Sequence, residues 1–266
     1  MRAIDIDECH GILLSIAAAF DAICRRHAIP YYMLGGTMLG AVRHGGFIPW
    51  DDDMDFGVPR SDFPRLLASL AKELPAHMRV LTRDNGGFPV SNYIKIDDSR
   101  TLAADCWMGR AAETGVNIDV FPLDDGLQTA AGTRRFASYI YFLLALKDYI
   151  CMDPERRRGM KRAVARLLRA LCARRCAVKL LKYIDRSIVR RAMPDSGLRI
   201  NFYGKWKKRE IVSEKIFGQP RAYPFRGLTL CGVEDAGAYL AQLYGDYMRL
   251  PPECERNVHL AGMSMK

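Results

Sequence analysis

The chain has 266 residues, 49% hydrophobic and 26% charged, with a formal net charge of +10. That length and balance suit a soluble globular protein with a substantial core. Its eight cysteines are scattered without a Cys-x-x-Cys pair, which excludes a zinc module or a small disulfide framework and favours reduced thiols in a cytosolic compartment.

Met1–Glu8 carries acids where a secretion signal has a basic start. The apolar run Ile12–Phe20 is too short to span a bilayer and is followed by Asp21 and Arg25, so neither a signal nor a transmembrane helix is expected. Residues 8–28 place Ile12, Ile16, Ala19, Phe20 and Ile23 near helical spacing, which predicts an amphipathic helix ended by Pro30. Tyr31–Leu34 reads as a short strand entering a Gly35-Gly36 turn, with Thr37 as the cap of a helix over Met38–Arg43. After the loop 44–50, an acidic strand is expected over 51–58, then a helix capped by Ser61 and running to about Leu74. Strands are predicted at Met78–Thr82, Val90–Ile96, Leu102–Trp107 and Val116–Phe121, joined by polar turns. Two helices or helix pairs follow at 131–150 and 156–193, then a strand at Arg226–Cys231 and a helix at Val233–Tyr244.

Helices interleaved with strands in this order imply a mixed α/β (α+β) sheet flanked by helices. The expected division is a catalytic core over 1–130, a basic helical lobe over 131–200, and a segment over 201–266 that completes a single domain. The basicity belongs to one stretch. Arg156–Met193 holds fourteen Lys/Arg against one acid, Asp185, a local +13, which leaves about −3 for the remainder. That stretch also carries an apolar stripe (Val164, Leu167, Leu168, Leu171, Val178, Leu181), and its single aromatic residue is Tyr183. Scarce aromatics argue against stacking on single-stranded nucleic acid. An anionic membrane surface is the favoured partner, with simple packing on the catalytic core close behind.

The densest chemical signal is Asp51-Asp52-Asp53-Met54-Asp55, which begins fourteen positions after Thr37 of Gly35-Gly36-Thr37. Acidic runs are more often solvated loops, and Asp is depleted from strands. In an extended strand, however, Asp51, Asp53 and Asp55 share one face while Met54, Phe56 and Val58 share the other. Three like charges on one face require a cation. A second strand-like run, Val116–Phe121, contains the lone acid Asp119, a residue type rarely buried without a partner. Together these features favour a divalent metal site over a solvated loop, provided that the two acid-bearing strands are neighbours.

Gly35, Gly36 and Thr37 followed by Asp53-x-Asp55 and then Asp119 resemble the nucleotidyltransferase superfamily pattern. The longer string Gly36–Asp55 resembles the signature of the LicD family, the phosphocholine-transferase group that includes fukutin-related enzymes. Tyr93–Arg100, Asn117–Asp124 and Leu243–Pro252 match the same pattern. The resemblance runs from about residue 8 to 260 and is least characteristic over 131–220. It implies a nucleotidyltransferase-like fold and transfer of a phospho-alcohol group, typically phosphocholine from CDP-choline, to a hydroxyl of a surface glycan, lipopolysaccharide or teichoic-acid precursor. Related members carry ethanolamine phosphate or ribitol phosphate, so the alcohol stays open. The acceptor that the resemblance implies is a glycan or lipid-linked glycan, and the expected location is the cytoplasm, with peripheral attachment at the inner face of the membrane as an alternative. The same acids would serve a nucleotidyltransferase moving NMP from an NTP, with pyrophosphate as product instead of CMP.

For this chemistry Asp53, Asp55 and Asp119 are the expected ligands of Mg²⁺ (or Mn²⁺), as two ions in an in-line arrangement. Asp51 is an adjunct that orients the acceptor or assists the metals, and Asp52 is expected to face away. Gly35, Gly36 and Thr37 would receive phosphate at a helix start. Arg43, His44 and Arg100 are basic loop candidates for the nucleotide. Lys95, inside an apolar strand, calls for either a phosphate or the nearby carboxylate of Asp97. A choline cage is expected from one or two aromatics among Trp50, Phe47, Tyr93 and Trp107, with Trp50 and Tyr93 foremost. His259 is left out of the catalytic set.

Overall fold

The computed structural model describes residues 2–85, 91–103, 114–151, 153–172, 174–256 and 263–266. A short strand, β1 (Arg2–Ala3), precedes the long helix α1 (Ile6–Arg26). Asp5 starts that helix, its side chain accepting the Glu8 amide at 2.8 Å. Leu13, Ile16, Ala17, Phe20 and Ile23 are buried along one stripe, which is what the 3.6-residue period requires. The helix begins two residues before the expected start at 8. It ends at Arg26, ahead of a turn in which Ala28 has φ +48°.

Strand β2 (Tyr32–Met33), helix α2 (Gly35–His44) and strand β3 (Asp55–Pro59) follow. Then come helix α3 (Phe63–Glu73), strands β4 (Met78–Leu81), β5 (Ile94–Asp98) and β6 (Thr101–Ala103), and the nine-residue β7 (Asn117–Asp125). The residue at the cap position of α3 is Asp62, not Ser61. Of the expected strand over 102–107, residues 104–107 lie outside the described residues, as does Val90 of the strand expected over 90–96.

Three helices follow: α4 (Ala130–Cys151), α5 (Gly159–Leu171) and α6 (Arg174–Arg191), of which α5 and α6 carry the basic segment. The chain then returns through β8 (Leu198–Ile200), β9 (Ile211–Ser213), α7 (Glu214–Phe217), β10 (Arg221–Phe225), β11 (Leu228–Gly232), α8 (Ala236–Tyr244) and β12 (Met263–Met265). The main sheet has the order β10-β11-β2-β3-β7-β5-β4, with β8 and β9 attached beside β7. A small second sheet, β1-β12-β6, joins the two ends of the chain. The fold is therefore a mixed α/β sheet with helices packed on it.

The centre of the main sheet is the parallel pair β3–β7, in which Asp55 stands opposite Asp119 and Phe56 opposite Val120. Phe56, Val58, Val120 and Leu123 are buried, so both strands are covered, as parallel strands require. Gly57 allows the close fit: a Cβ there would stand 2.8 Å from a Leu123 methyl.

The basic segment divides between two roles. Helix α6 buries Ala177, Leu181, Ile184 and Ile188 and packs with α4 in a second, smaller core containing Phe136, Ile140, Ile200 and Phe202. Helix α5 buries only Ala165 and exposes Met160, Val164, Leu167 and Leu171. The apolar stripe expected over the whole segment thus docks in α6 and stays outside in α5. Asp185, the segment's single acid, holds it to the sheet. Arg60, just beyond β3, grips Asp124 of β7 with both carboxylate oxygens at 2.8 and 2.9 Å and reaches Asp185 at 3.0 Å.

Candidate active site

The expectation of an extended acidic run from 51 onward needs correction. Residues 51–54 are irregular and β3 starts at Asp55. Alternation still separates the side chains: Met54 and Phe56 are fully buried, and Asp53 and Asp55 line a cavity. Asp51 reaches the same cavity by another route. Its carboxylate lies against the start of α2, where a Cβ added to Gly36 would stand 2.7 Å from Asp51 Oδ2. Asp52 is buried and absent from the cavity lining. On the strand beside β3, Asp119 also lines the cavity, so four of the five acids meet in one place.

The glycine pair is not a turn before the helix; it is the helix's first turn. Helix α2 begins at Gly35, after an extended Leu34 with no side-chain cap, and Gly35 has φ +49°, a conformation that glycine adopts without a steric penalty. Thr37, expected to cap, sits inside that turn. Its hydroxyl accepts the Asp55 amide at 2.7 Å, and the Asp55 carbonyl accepts the Leu34 amide at 2.9 Å. This reciprocal pair fixes the helix start against Asp55. Gly35 and Gly36 line the same cavity as the carboxylates, although the Gly35 amide itself donates to the Tyr239 hydroxyl at 3.1 Å.

The cavity has a volume of about 410 Å³. Besides the acids and the α2 start, its lining includes Asn201, Tyr203, Lys205, Trp206, Glu210, Tyr93, Phe121 and Tyr244, and the Tyr244 hydroxyl stands beside Gly35 and Asp55. Burial, followed by repulsion from neighbouring carboxylates, raises the pKa of Asp51, Asp53 and Asp55. None of these three makes an ion pair among the described residues. Asp119 is held by Lys95 Nζ at 2.5 Å, and the same ammonium reaches Asn117 at 3.0 Å.

Asp97, the alternative partner for Lys95, instead binds Arg79 and the Gly115 amide. Lys95 is thus the counter-ion of Asp119, and it does not line the cavity.

A divalent cation fits this donor set in part. Among the described residues, no three His, Cys, Asp or Glu side chains gather into a ready-made metal cage. Asp53 and Asp55 are nevertheless hard oxygen donors without a cation, on the wall of a cavity. Mg²⁺ is commonly held by one or two carboxylates, with water and substrate phosphate completing the shell. Asp119 would join only by parting from Lys95.

Several expected residues stand elsewhere. Arg43 bonds to the Tyr247 carbonyl and to His44, and Arg100 pairs with Asp98 at the far end of β5. Trp50 lies under Arg256, 4.8 Å from its ring centroid. None of Arg43, His44, Arg100 and Trp50 lines the cavity. Phe47 is buried, stacked on His10. Tyr93 does line the cavity, packed on Phe121 at 4.6 Å. Trp107 and His259 lie outside the described residues.

Asn201, Tyr203, Lys205, Trp206, Glu210 and Tyr244 were not anticipated. The run Asn-Phe-Tyr-Gly-Lys-Trp at 201–206 has the aromatic density of a binding turn, but it falls in the least characteristic stretch. His10 was also missed. Its Nε2 donates to the Asp51 carbonyl at 2.7 Å and its Nδ1 accepts from Arg226 at 3.0 Å, with burial lowering its pKa. It is a positioning residue for the Asp51 loop.

Comparison with known proteins bears on this geometry. The family described as LicD/FKTN/FKRP, nucleotidyltransferase domain, matches residues 28–134. The lipopolysaccharide cholinephosphotransferase LicD of Haemophilus influenzae is 27% identical over 268 aligned residues, 97% of each chain. The ribitol 5-phosphate transferase FKRP of Homo sapiens is 50% identical over 54 residues, 20% of this chain and 11% of that one. The solution structure of the antibiotic-resistance factor ANT(2'')-Ia covers 67% of this chain and 93% of its own at 15% identity. Its TM-score of 0.28 is too low to bear on the fold. The glycine helix start, Asp53, Asp55 and Asp119 all fall inside the span, residues 28–134, over which this chain matches the LicD/FKTN/FKRP nucleotidyltransferase domain.

Proposed function

We propose that this protein is a transferase of a substituted phosphate group, moving phosphocholine from CDP-choline to a hydroxyl of a surface-glycan or lipopolysaccharide precursor. The observation that carries the proposal is a glycine-started helix opening onto Asp51, Asp53, Asp55 and Asp119 in one cavity. The chain aligns end to end with a cholinephosphotransferase.

The donor diphosphate would lie at the start of α2, where backbone amides and the helix dipole favour anions. Asp53 and Asp55 would hold Mg²⁺, which when bound neutralises the diphosphate charge. Thr37, through the Asp55 amide, keeps helix and carboxylate in register. Asp51, with its raised pKa, is placed to take the acceptor hydroxyl's proton. Lys205, exposed at the cavity and close enough to offset part of the charge on Asp51, would meet the outer phosphate oxygens.

The acceptor would be presented at an anionic membrane surface by α5. Its Met160, Leu167 and Leu171 are 82%, 58% and 72% exposed, amid Lys161, Arg162, Arg166 and Arg169. Among the described residues no helix is long and apolar enough to cross a membrane.

The test is product identity. Incubation with CDP-choline, Mg²⁺ and a glycan acceptor should release CMP, and Asp53→Asn or Asp55→Asn should lower turnover about a hundredfold or more. Release of pyrophosphate from an NTP, with no CMP from any CDP-alcohol, would replace this function by nucleotidyl transfer.

A further inference from the structure

A buried carboxylate ordinarily has a cationic partner, and three in this protein follow the rule. Asp97 holds Arg79, Asp98 holds Arg100 and Asp124 holds Arg60. Glu210 breaks it. It is 5% exposed, makes no ion pair among the described residues and lines the cavity.

Its hydrogen bonds come from neutral groups, the Trp206 amide at 2.8 Å and the Asn201 side chain. Burial pushes its carboxyl up to about 7, as expected of an acid lacking a counter-ion. Arg209, next to it in sequence, lies 5.6 Å from the Trp206 centroid, is tied to the Leu243 carbonyl and does not pair with Glu210.

The surroundings are shaped for the carboxylate. Both of its oxygens stand 2.0 Å from where a Cβ on Gly204 would be, so only glycine at 204 permits this position. Aromatic rings line the same cavity: Trp206 meets Tyr244 edge-on at 4.9 Å, and Tyr203 lies 6.4 Å from Tyr93. Ring faces attract cations, and they suit one that cannot donate N–H bonds. A neutral polyol would need several hydrogen-bond partners, and it would leave the buried charge uncompensated.

We infer that Glu210, walled by Trp206, Tyr244 and Tyr203, receives a quaternary-ammonium headgroup of the donor, so that the site selects cationic alcohols over polyols. The inference rests on the phospho-alcohol transfer proposed above and names the residues that would read the donor's headgroup. Glu210 and Tyr244 line the same cavity as Asp53 and Asp55, so headgroup and diphosphate would share one space.

The experiment is calorimetric titration of the whole chain, with Mg²⁺, against CDP-choline, CDP-ribitol and CMP. The wild type should prefer CDP-choline to CDP-ribitol about tenfold or more, a range consistent with a desolvated cation–π site bearing a charge. Glu210→Gln keeps an oxygen for the Trp206 amide and removes the charge, so it should erase that preference. Trp206→Leu is the second variant, and it should weaken CDP-choline relative to CMP. Choline chloride, but not ribitol, should compete with CDP-choline on the wild type, a readout independent of either variant's folding.

Equal or tighter binding of CDP-ribitol overturns the inference, as does a preference that survives in a folded Glu210→Gln protein. CMP release from CDP-ribitol at equal KM would sink the headgroup assignment and leave phospho-alcohol transfer standing. Pyrophosphate release from NTPs alone would remove both.

Discussion

Asp51, Asp53 and Asp55, the chemical centre under the proposed function, are also a source of instability. Their pKa values are raised by burial and mutual repulsion, so the folded protein binds more protons than the unfolded chain above the ordinary carboxylate range near 3.8. Stability contributed by these protonated groups is present at low pH and is lost as pH rises through the raised values. Without metal, the melting temperature should therefore fall between pH 5.5 and 8.5, and Mg²⁺ should restore it at the upper end. Asp53→Asn removes one of the repelling charges. Differential scanning calorimetry at pH 8 should show it melting about 2–4 °C above the wild type, the shift that about 1 kcal/mol produces at this size. A melting temperature that rises with pH, or a destabilised Asp53→Asn, would contradict the electrostatic account. The same variant is inactive under the proposed function, so stability and activity pull in opposite directions at this residue.

At the level of elements, the site depends on how α2, β3 and β7 are joined. Gly36 lets Asp51 lie against the helix start, and Gly36→Ala would bring a methyl within 2.7 Å of its carboxylate. The helix itself tolerates alanine, so the fold should persist while Asp51 is displaced. Turnover should drop about tenfold or more with little change in melting temperature, as kinetics and calorimetry on one sample would show. A variant with unchanged turnover would dissociate Asp51 from the reaction.

The acid arrangement was legible in sequence because alternation and a lone acid in an apolar run are local signals. Asp119 beside Asp55 follows from them once the strands are neighbours. The glycine pair was legible as a special conformation, but the role of Thr37 was not, since its partner Asp55 is eighteen residues away. Lys95 posed a fair question, and only the strand register, which pairs it with Asp119, answers it. The part of the cavity lining that comes from 201–210 was invisible for the same reason. Glu210 and Trp206 come from a turn whose meaning depends on where β8 and β9 attach.

Across the whole molecule, charge and apolar exposure are concentrated on the lobe formed by α4, α5 and α6. Its two basic helices are not equivalent, because α6 spends its apolar face on the core whereas α5 leaves its own in solvent. Flotation with anionic vesicles should therefore capture the wild-type protein, and neutral vesicles should not. Leu167→Glu combined with Leu171→Glu should abolish capture without changing the melting temperature, since both side chains are exposed. Capture that persists in this double variant would move the contact off α5.

Strand β7 carries two different commitments along its length. Asp119 near one end serves the cavity, and Asp124 near the other receives Arg60, which also clasps Asp185 of α6. Five residues of extended chain separate them, about 17 Å. Because a strand neither stretches nor shortens appreciably, β7 is a ruler. Under the proposed function, a phosphate bound beside Asp119 would stand at a set distance from the Arg60–Asp185 clasp on α6, and acceptors too short to cover that span would remain out of reach however well their hydroxyl suited the site.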